Sequence, residues 1–168
     1  MPSYPRPSDV PVVPDDGPRK SFPFYANVEE RQMGLPGENP GERVRVDMAL
    51  GPDAKPEWTA WYRFRPSSKF NDSTLDCARA LILLDALVLN SCIMGHPKKL
   101  CLAATTQTDV LFCGPPEAHD TDWLLADLRC PFSYGGMMWS SGAVWSEGGR
   151  LLALGQSKMM FRGDVMDR

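Results

Sequence analysis

The sequence predicts an α+β domain in which one long helix lies on one face of a curved antiparallel sheet. Three observations predict it. A single run from Asn71 or Asp72 to about Met94 has helical periodicity, with Leu81, Leu84, Val88 and Cys92 recurring on one side. Strand-like segments follow it at Leu100–Cys113, Trp123–Cys130, Met137–Ser146 and Leu151–Arg162. Further strand-like segments precede it, so the helix has a sheet to lie against.

The elements can be justified in chain order. Residues 1–24 hold seven of the sixteen prolines, which excludes a helix or a central strand there. This stretch is expected to be an extended arm, with Phe22, Phe24 and Tyr25 as anchors at its end. Residues 25–168 form a single domain. A short strand is expected at Ala26–Gln32, then a Gly/Pro loop from Gly34 to Gly41, then strands at Glu42–Ala49 and Trp58–Arg65. In the last of these, Trp58, Ala60, Tyr62 and Phe64 face one way, and Thr59, Trp61, Arg63 and Arg65 the other.

The helix opens behind a cap at Asn71 or Asp72 and is stopped by Gly95 and Pro97. Leu100–Cys113 is rich in threonine and apolar residues. Glu147-Gly-Gly-Arg150 reads as the hairpin joining the last two strands. Along the final strand, Leu151, Ala153, Gly155, Ser157, Met159 and Phe161 share a mostly apolar face, opposite Gln156, Lys158 and Arg162.

Composition excludes several classes of function. The net charge is −3 without a basic stripe, so no nucleic-acid partner is expected. The longest apolar run is broken by Asp85, so no membrane span is expected, and an N-terminus lacking an apolar core suggests a cytoplasmic protein. Five cysteines without C-x-x-C spacing read as reduced. His119, Asp120 and Asp122 crowd one turn without a further ligand at recognisable spacing, so no metal and no cofactor are expected. His96 is eleven residues beyond Asp85, about 16 Å along a helix, too far for direct pairing.

Asp85 is the informative residue. It is the one charge inside Ala80-Leu-Ile-Leu-Leu-Asp-Ala-Leu-Val-Leu-Asn90, on or beside the apolar stripe. A carboxylate so placed is partly desolvated, which suits it to accept a proton.

Several segments together resemble the closing half of acyl-CoA thioesterase II, a family built on the hot-dog fold. They are Trp61-Tyr-Arg-Phe64, Leu-Leu-Asp85, Leu102-Ala-Ala-Thr-Thr106, Trp123-Leu-Leu-Ala-Asp127, the Gly135-Gly-Met-Met-Trp-Ser-Ser-Gly-Ala-Val-Trp145 strand, and Gly149-Arg-Leu-Leu-Ala153 through Phe161-Arg162. The resemblance spans roughly residues 26 to 162. It implies a curved antiparallel sheet wrapped around one central helix. Family members commonly fuse two such units, and this chain resembles the second.

The resemblance also implies a mechanism in which an aspartate, a threonine and a glutamine hold the water that attacks a thioester. Asp85 matches the aspartate as general base. Thr105 matches the threonine by its register before Phe112, with Thr106 as the alternative. The glutamine position is occupied by Ser157, and Gln156 stands beside it, pointing to the opposite face. Thr106, Trp61, Phe112 and Trp139 are the candidates for substrate contact.

The expected function is hydrolysis of an acyl or polyketide thioester carried by CoA or an acyl-carrier protein. A dehydratase, isomerase or cyclase using the same pocket is the alternative, and a non-catalytic acyl-binding subunit the third. A lone unit leaves a sheet edge unpaired, so a homodimer is expected, with the proline-rich arm lying across the partner.

Overall fold

A computed structural model describes residues 4–12, 26–33, 57–65, 72–86, 100–114 and 122–163. After a 3-10 turn at Pro7–Asp9, the elements are β1 (Val28–Gln32), β2 (Glu57–Phe64), helix α1 (Ser73–Ala86), β3 (Leu100–Phe112), β4 (Trp123–Tyr134), β5 (Met137–Ser146) and β6 (Leu151–Gly163). The expected strand at Glu42–Ala49, the helix beyond Ala86 and the anchors Phe22, Phe24 and Tyr25 lie outside the described residues.

The strands form one antiparallel sheet in the order β1-β2-β4-β5-β6-β3. This is the hot-dog arrangement, with α1 against the sheet. The inner face carries Trp58, Ala60 and Tyr62 of β2, Leu124, Ala126 and Leu128 of β4, Val144 of β5 and Ala153 of β6, closing on Ala80, Leu83 and Leu84 of α1. Two-residue alternation puts these side chains on one side, and α1 offers its own pair of neighbouring positions per turn to meet them. β4 extends past the expected end at Cys130, through Pro131 to Tyr134. A register shift between Arg129 and Phe132 accommodates the proline within the ladder.

The outer face has a second, smaller core of Val10, Trp61, Trp123 and Leu125. Here the described part of the arm lies on the sheet of its own unit. Trp61 Nε1 donates to the Pro5 carbonyl at 3.0 Å, and Arg31 Nη1 donates to the Pro7 carbonyl at 2.7 Å. Tyr4 Oη donates to Asp127 Oδ2 at 3.3 Å. These bonds explain how a proline-rich strip that cannot enter a ladder still holds a fixed place.

The buried stripe of α1 differs from the expected one. Asp76, Arg79, Ala80, Leu83 and Leu84 are buried, whereas Leu81 is 42% exposed and Asp85 is exposed as well. The buried pairs 79/80 and 83/84 centre the contact line between those positions, which turns Leu81 and Asp85 out to its flank.

Candidate active site

The C-terminal half of α1 is drawn close to the sheet by missing side chains. Asp72 Oδ1 caps the helix, accepting from the amides of Thr74 at 2.9 Å and Leu75 at 3.2 Å. Eleven to twelve residues on, Leu83 and Leu84 sink into the inner core. Leu84 lies over Gly155 of β6 and Gly142 of β5, which are register partners. A side chain at either glycine would crowd Leu84, so the glycines set the helix-to-sheet distance.

That approach places the next residue, Asp85, against β3, the last strand of the sheet among the described residues. Asp85 Oδ1 accepts a hydrogen bond from Thr108 Oγ1 at 3.2 Å. Thr108 is paired across the ladder with Ser157, and their hydroxyl oxygens are 3.1 Å apart. A hydroxyl has a single proton to give. With the Thr108 proton committed to the carboxylate, Ser157 donates to Thr108, and the chain runs in one direction toward Asp85. It leads from a buried hydroxyl, 2% exposed, to an exposed carboxylate. Ser157 is also paired with Ser140, whose hydroxyl donates to the Arg129 carbonyl at 2.7 Å.

The threonine beside Asp85 is therefore Thr108, where the sequence pointed to Thr105. The ladder slips between Thr105 and Gln107: Thr105 faces Met159, and Gln107 already faces Lys158. Thr106 is the extra residue of that bulge, and its hydroxyl donates to the Lys158 carbonyl at 3.1 Å. Counting back from Phe112 by twos through Val110 reaches Thr108, which shares their face of β3 and pairs with Ser157. That alternation was the available signal.

The other sequence candidates divide by face. Phe112 is paired with Ala153 and shares the side of β3 that carries Thr108. Gln156, Trp61 and Trp139 are on the outer face, away from Asp85. Gln156 is paired with Ser141 and Asp109 there. Trp61 is buried beneath the arm, and Trp139 lies under Lys158 Nζ, 5.1 Å from the ring centroid. Residue parity alone separates them: each is an odd number of positions from an inner-face residue of its own strand.

A carboxylate with a hydroxyl fixed on one oxygen can orient a water on its other and take that water's proton. Among the described residues, no cluster of histidine, cysteine or acidic side chains could hold a metal ion. His96, His119 and Asp120 lie outside them.

The family model of the acyl-CoA thioesterase C-terminal domain matches residues 7–160. The chain belongs to this family. Its thioesterase-type fold recurs in solved structures. A conserved hot-dog protein of unknown function from Alicyclobacillus acidocaldarius superimposes with a TM-score of 0.70 at 21% identity, covering 98% of this chain and 55% of that one. The acyl-CoA thioesterase II TesB2 from Mycobacterium marinum gives 0.65 at 20% identity, covering 92% and 57%. A thioesterase-like protein from Novosphingobium aromaticivorans gives 0.60 at 20%, covering 97% and 54%. The chain thus spans about half the length of these structures. No curated protein sequence matches it.

Proposed function

We propose that this thioesterase-family domain hydrolyses acyl thioesters, with Asp85 as general base. The observation that carries the reading is the Asp85–Thr108–Ser157 hydrogen-bond chain, because it orients one carboxylate oxygen and leaves the other to act on water. In the reaction, Asp85 accepts a proton from water as the oxygen bonds to the thioester carbonyl carbon. The C–S bond then breaks, and the departing sulfur takes up the proton to give a free thiol and a carboxylic acid. Thr108 steadies the carboxylate, and Ser157 steadies Thr108.

The substrate carrier is coenzyme A or a carrier-protein pantetheine, and the family description favours the former. Among the described residues the site is one-sided, since Asp85 is exposed and Thr108 is on the last strand of the sheet. Pairing of two copies along β3 would give each Asp85 a second wall, in a homodimer. The test is mass spectrometry and thiol release with the full chain and a panel of acyl-CoAs. Free acid and stoichiometric thiol, both lost in Asp85→Asn, are expected. An isomerised or dehydrated thioester, or unchanged substrate throughout, would overturn hydrolysis.

A further inference from the structure

The arm and one end of the sheet enclose a recess of about 380 Å³ on the outer face, away from Asp85. Ser8 of the arm forms one side, Arg31 of β1 and Arg63 of β2 another, and Asp122, Trp123 and Glu147 the rest. Strand register assembles it. Arg63 is paired with Glu29 on one side and Trp123 on the other, and Leu124 is paired with Ser146, the residue before Glu147. Trp123 is 8% exposed, and both guanidinium groups lie against its ring at 5.0 Å from the centroid.

The two cations are engaged differently. Arg31 is spent inside the chain: Nη1 donates to the carbonyls of Pro7 at 2.7 Å and Val10 at 3.2 Å, and Nε and Nη2 donate to Glu29 Oε1 at 3.4 and 3.3 Å. Arg63 gives only Nη2, to Glu29 Oε2, so its Nε and Nη1 have no acceptor among the described residues. Glu29 is one carboxylate shared by Arg31, Arg63 and Arg65, which leaves this end of the recess positive. The other end is negative. Asp122 has no hydrogen bond or ion pair among the described residues, and Glu147 stands beside it in the lining. Arg63 and Asp122 thus face one recess without forming an ion pair with each other.

We infer that this recess binds a free α-amino acid, with the ligand's carboxylate on Arg63 and its ammonium on Asp122. A guanidinium with N–H groups to spare is suited to a carboxylate. An ammonium has three N–H donors, and the negative end offers three acceptors. They are Asp122, Glu147 and the hydroxyl of Ser8, whose own proton goes to Asp9 Oδ1 at 3.0 Å. A carboxylate accepts more than one bond, so Glu147 can serve the ligand beside any other contact it makes. Other charged ligands match less of the site. An inorganic anion would satisfy Arg63 and be repelled by two carboxylates, and a quaternary ammonium has no N–H to give them. The recess is within the range of small-molecule pockets, about 300–1,000 Å³, and so has room for a side chain.

The recess shares no residue with the Asp85–Thr108–Ser157 chain, so the inference does not rest on hydrolysis. The experiment is titration calorimetry on the full chain with alanine, glutamate and lysine. Propionate, ethylamine and glycine betaine supply the carboxylate alone, the ammonium alone and a zwitterion without N–H donors. At least one amino acid is expected to bind at millimolar concentration, with the three controls about tenfold weaker or more. Asp122→Asn and Arg63→Gln should each weaken that binding by a similar factor. Circular dichroism checks the fold of both, and Asp122→Asn decides the matter if Arg63→Gln unfolds, because Asp122 holds nothing else among the described residues. No binding of any amino acid, controls that bind as well, or an Asp122→Asn variant that binds like the parent would overturn the proposal.

Discussion

Leu84 rests on Gly155: a Cβ added to that glycine would lie 3.0 Å from Leu84 Cδ1 and 3.1 Å from Cδ2. The glycine is thus a docking point for the helix, and Asp85 takes its position from the leucine before it.

Gly155→Ala should lower stability by about 1–3 kcal/mol, through overpacking against Leu84. Activity should fall further than stability accounts for, because the helix carries Asp85 away from Thr108. Leu84→Ala should cost about 2–5 kcal/mol by itself. Combined, the two changes should cost less than their sum, since each relieves the other's misfit. Urea unfolding of the four proteins measures this, and strict additivity would show that the contact does not set the spacing.

Asp85→Asn should leave stability within about 0.5 kcal/mol, because the residue is exposed. Thioester hydrolysis should drop by about 10²–10⁴-fold. Steady-state kinetics beside thermal unfolding separates the two effects. A variant that hydrolyses normally would remove Asp85 from the chemistry.

Thr108→Val should impair turnover, whereas Thr105→Val should have little effect. The valine keeps the shape and removes the hydroxyl that donates to Asp85. Ser157→Ala should give a milder loss, chiefly in kcat, and Gln156→Ala should be near neutral in turnover, as its side chain is on the outer face. Reversed sensitivities within either pair would place the site on the other register.

Glu29 makes the fold sensitive to acid. Burial pushes its carboxyl pKa up, but the hydrogen bond and charge of Arg63, with bonds from Arg31 and Arg65, outweigh this and hold it below its ordinary value of 4.5. A group lowered in the folded state stabilises above its unfolded pKa, and that stability is lost as pH falls through the folded value. Glu29→Gln should therefore be less stable than the parent at neutral pH, with the gap closing in the acid range below 4.5. Denaturation across pH tests it, and a gap that stays constant with pH would mean the ion cluster contributes nothing.

Strand alternation made much of this fold legible. Parity along Trp58–Arg65 separates the Ala60 and Tyr62 core from the Trp61 cluster, and parity along the last strand separates Ser157 from Gln156. What alternation cannot register is an interruption to itself. The extra residue at Thr106 comes from pairing with β6, a strand distant in the chain, and leaves no local mark, whereas the shift around Pro131 is flagged by the proline itself. The helix misled for a related reason. Leu81 and Leu84 read alike in a periodic pattern, yet only Leu84 finds a glycine opposite, and that glycine comes 71 positions later in the chain. Trp61 and Trp139 were drawn toward the substrate by residue type, which says nothing about which face a strand residue occupies.

The two ends of the sheet are unlike. β1 is five residues long and bears Glu29, Glu30 and Arg31, while β3 runs for thirteen residues and, among the described residues, pairs only with β6. Short, densely charged borders discourage a neighbouring strand from adding on, whereas long, sparsely charged ones invite it. A sheet that can be extended at one border alone closes after a single addition. If a second copy pairs along β3, the same inequality would guard the protein against growing, strand on strand, into a fibre.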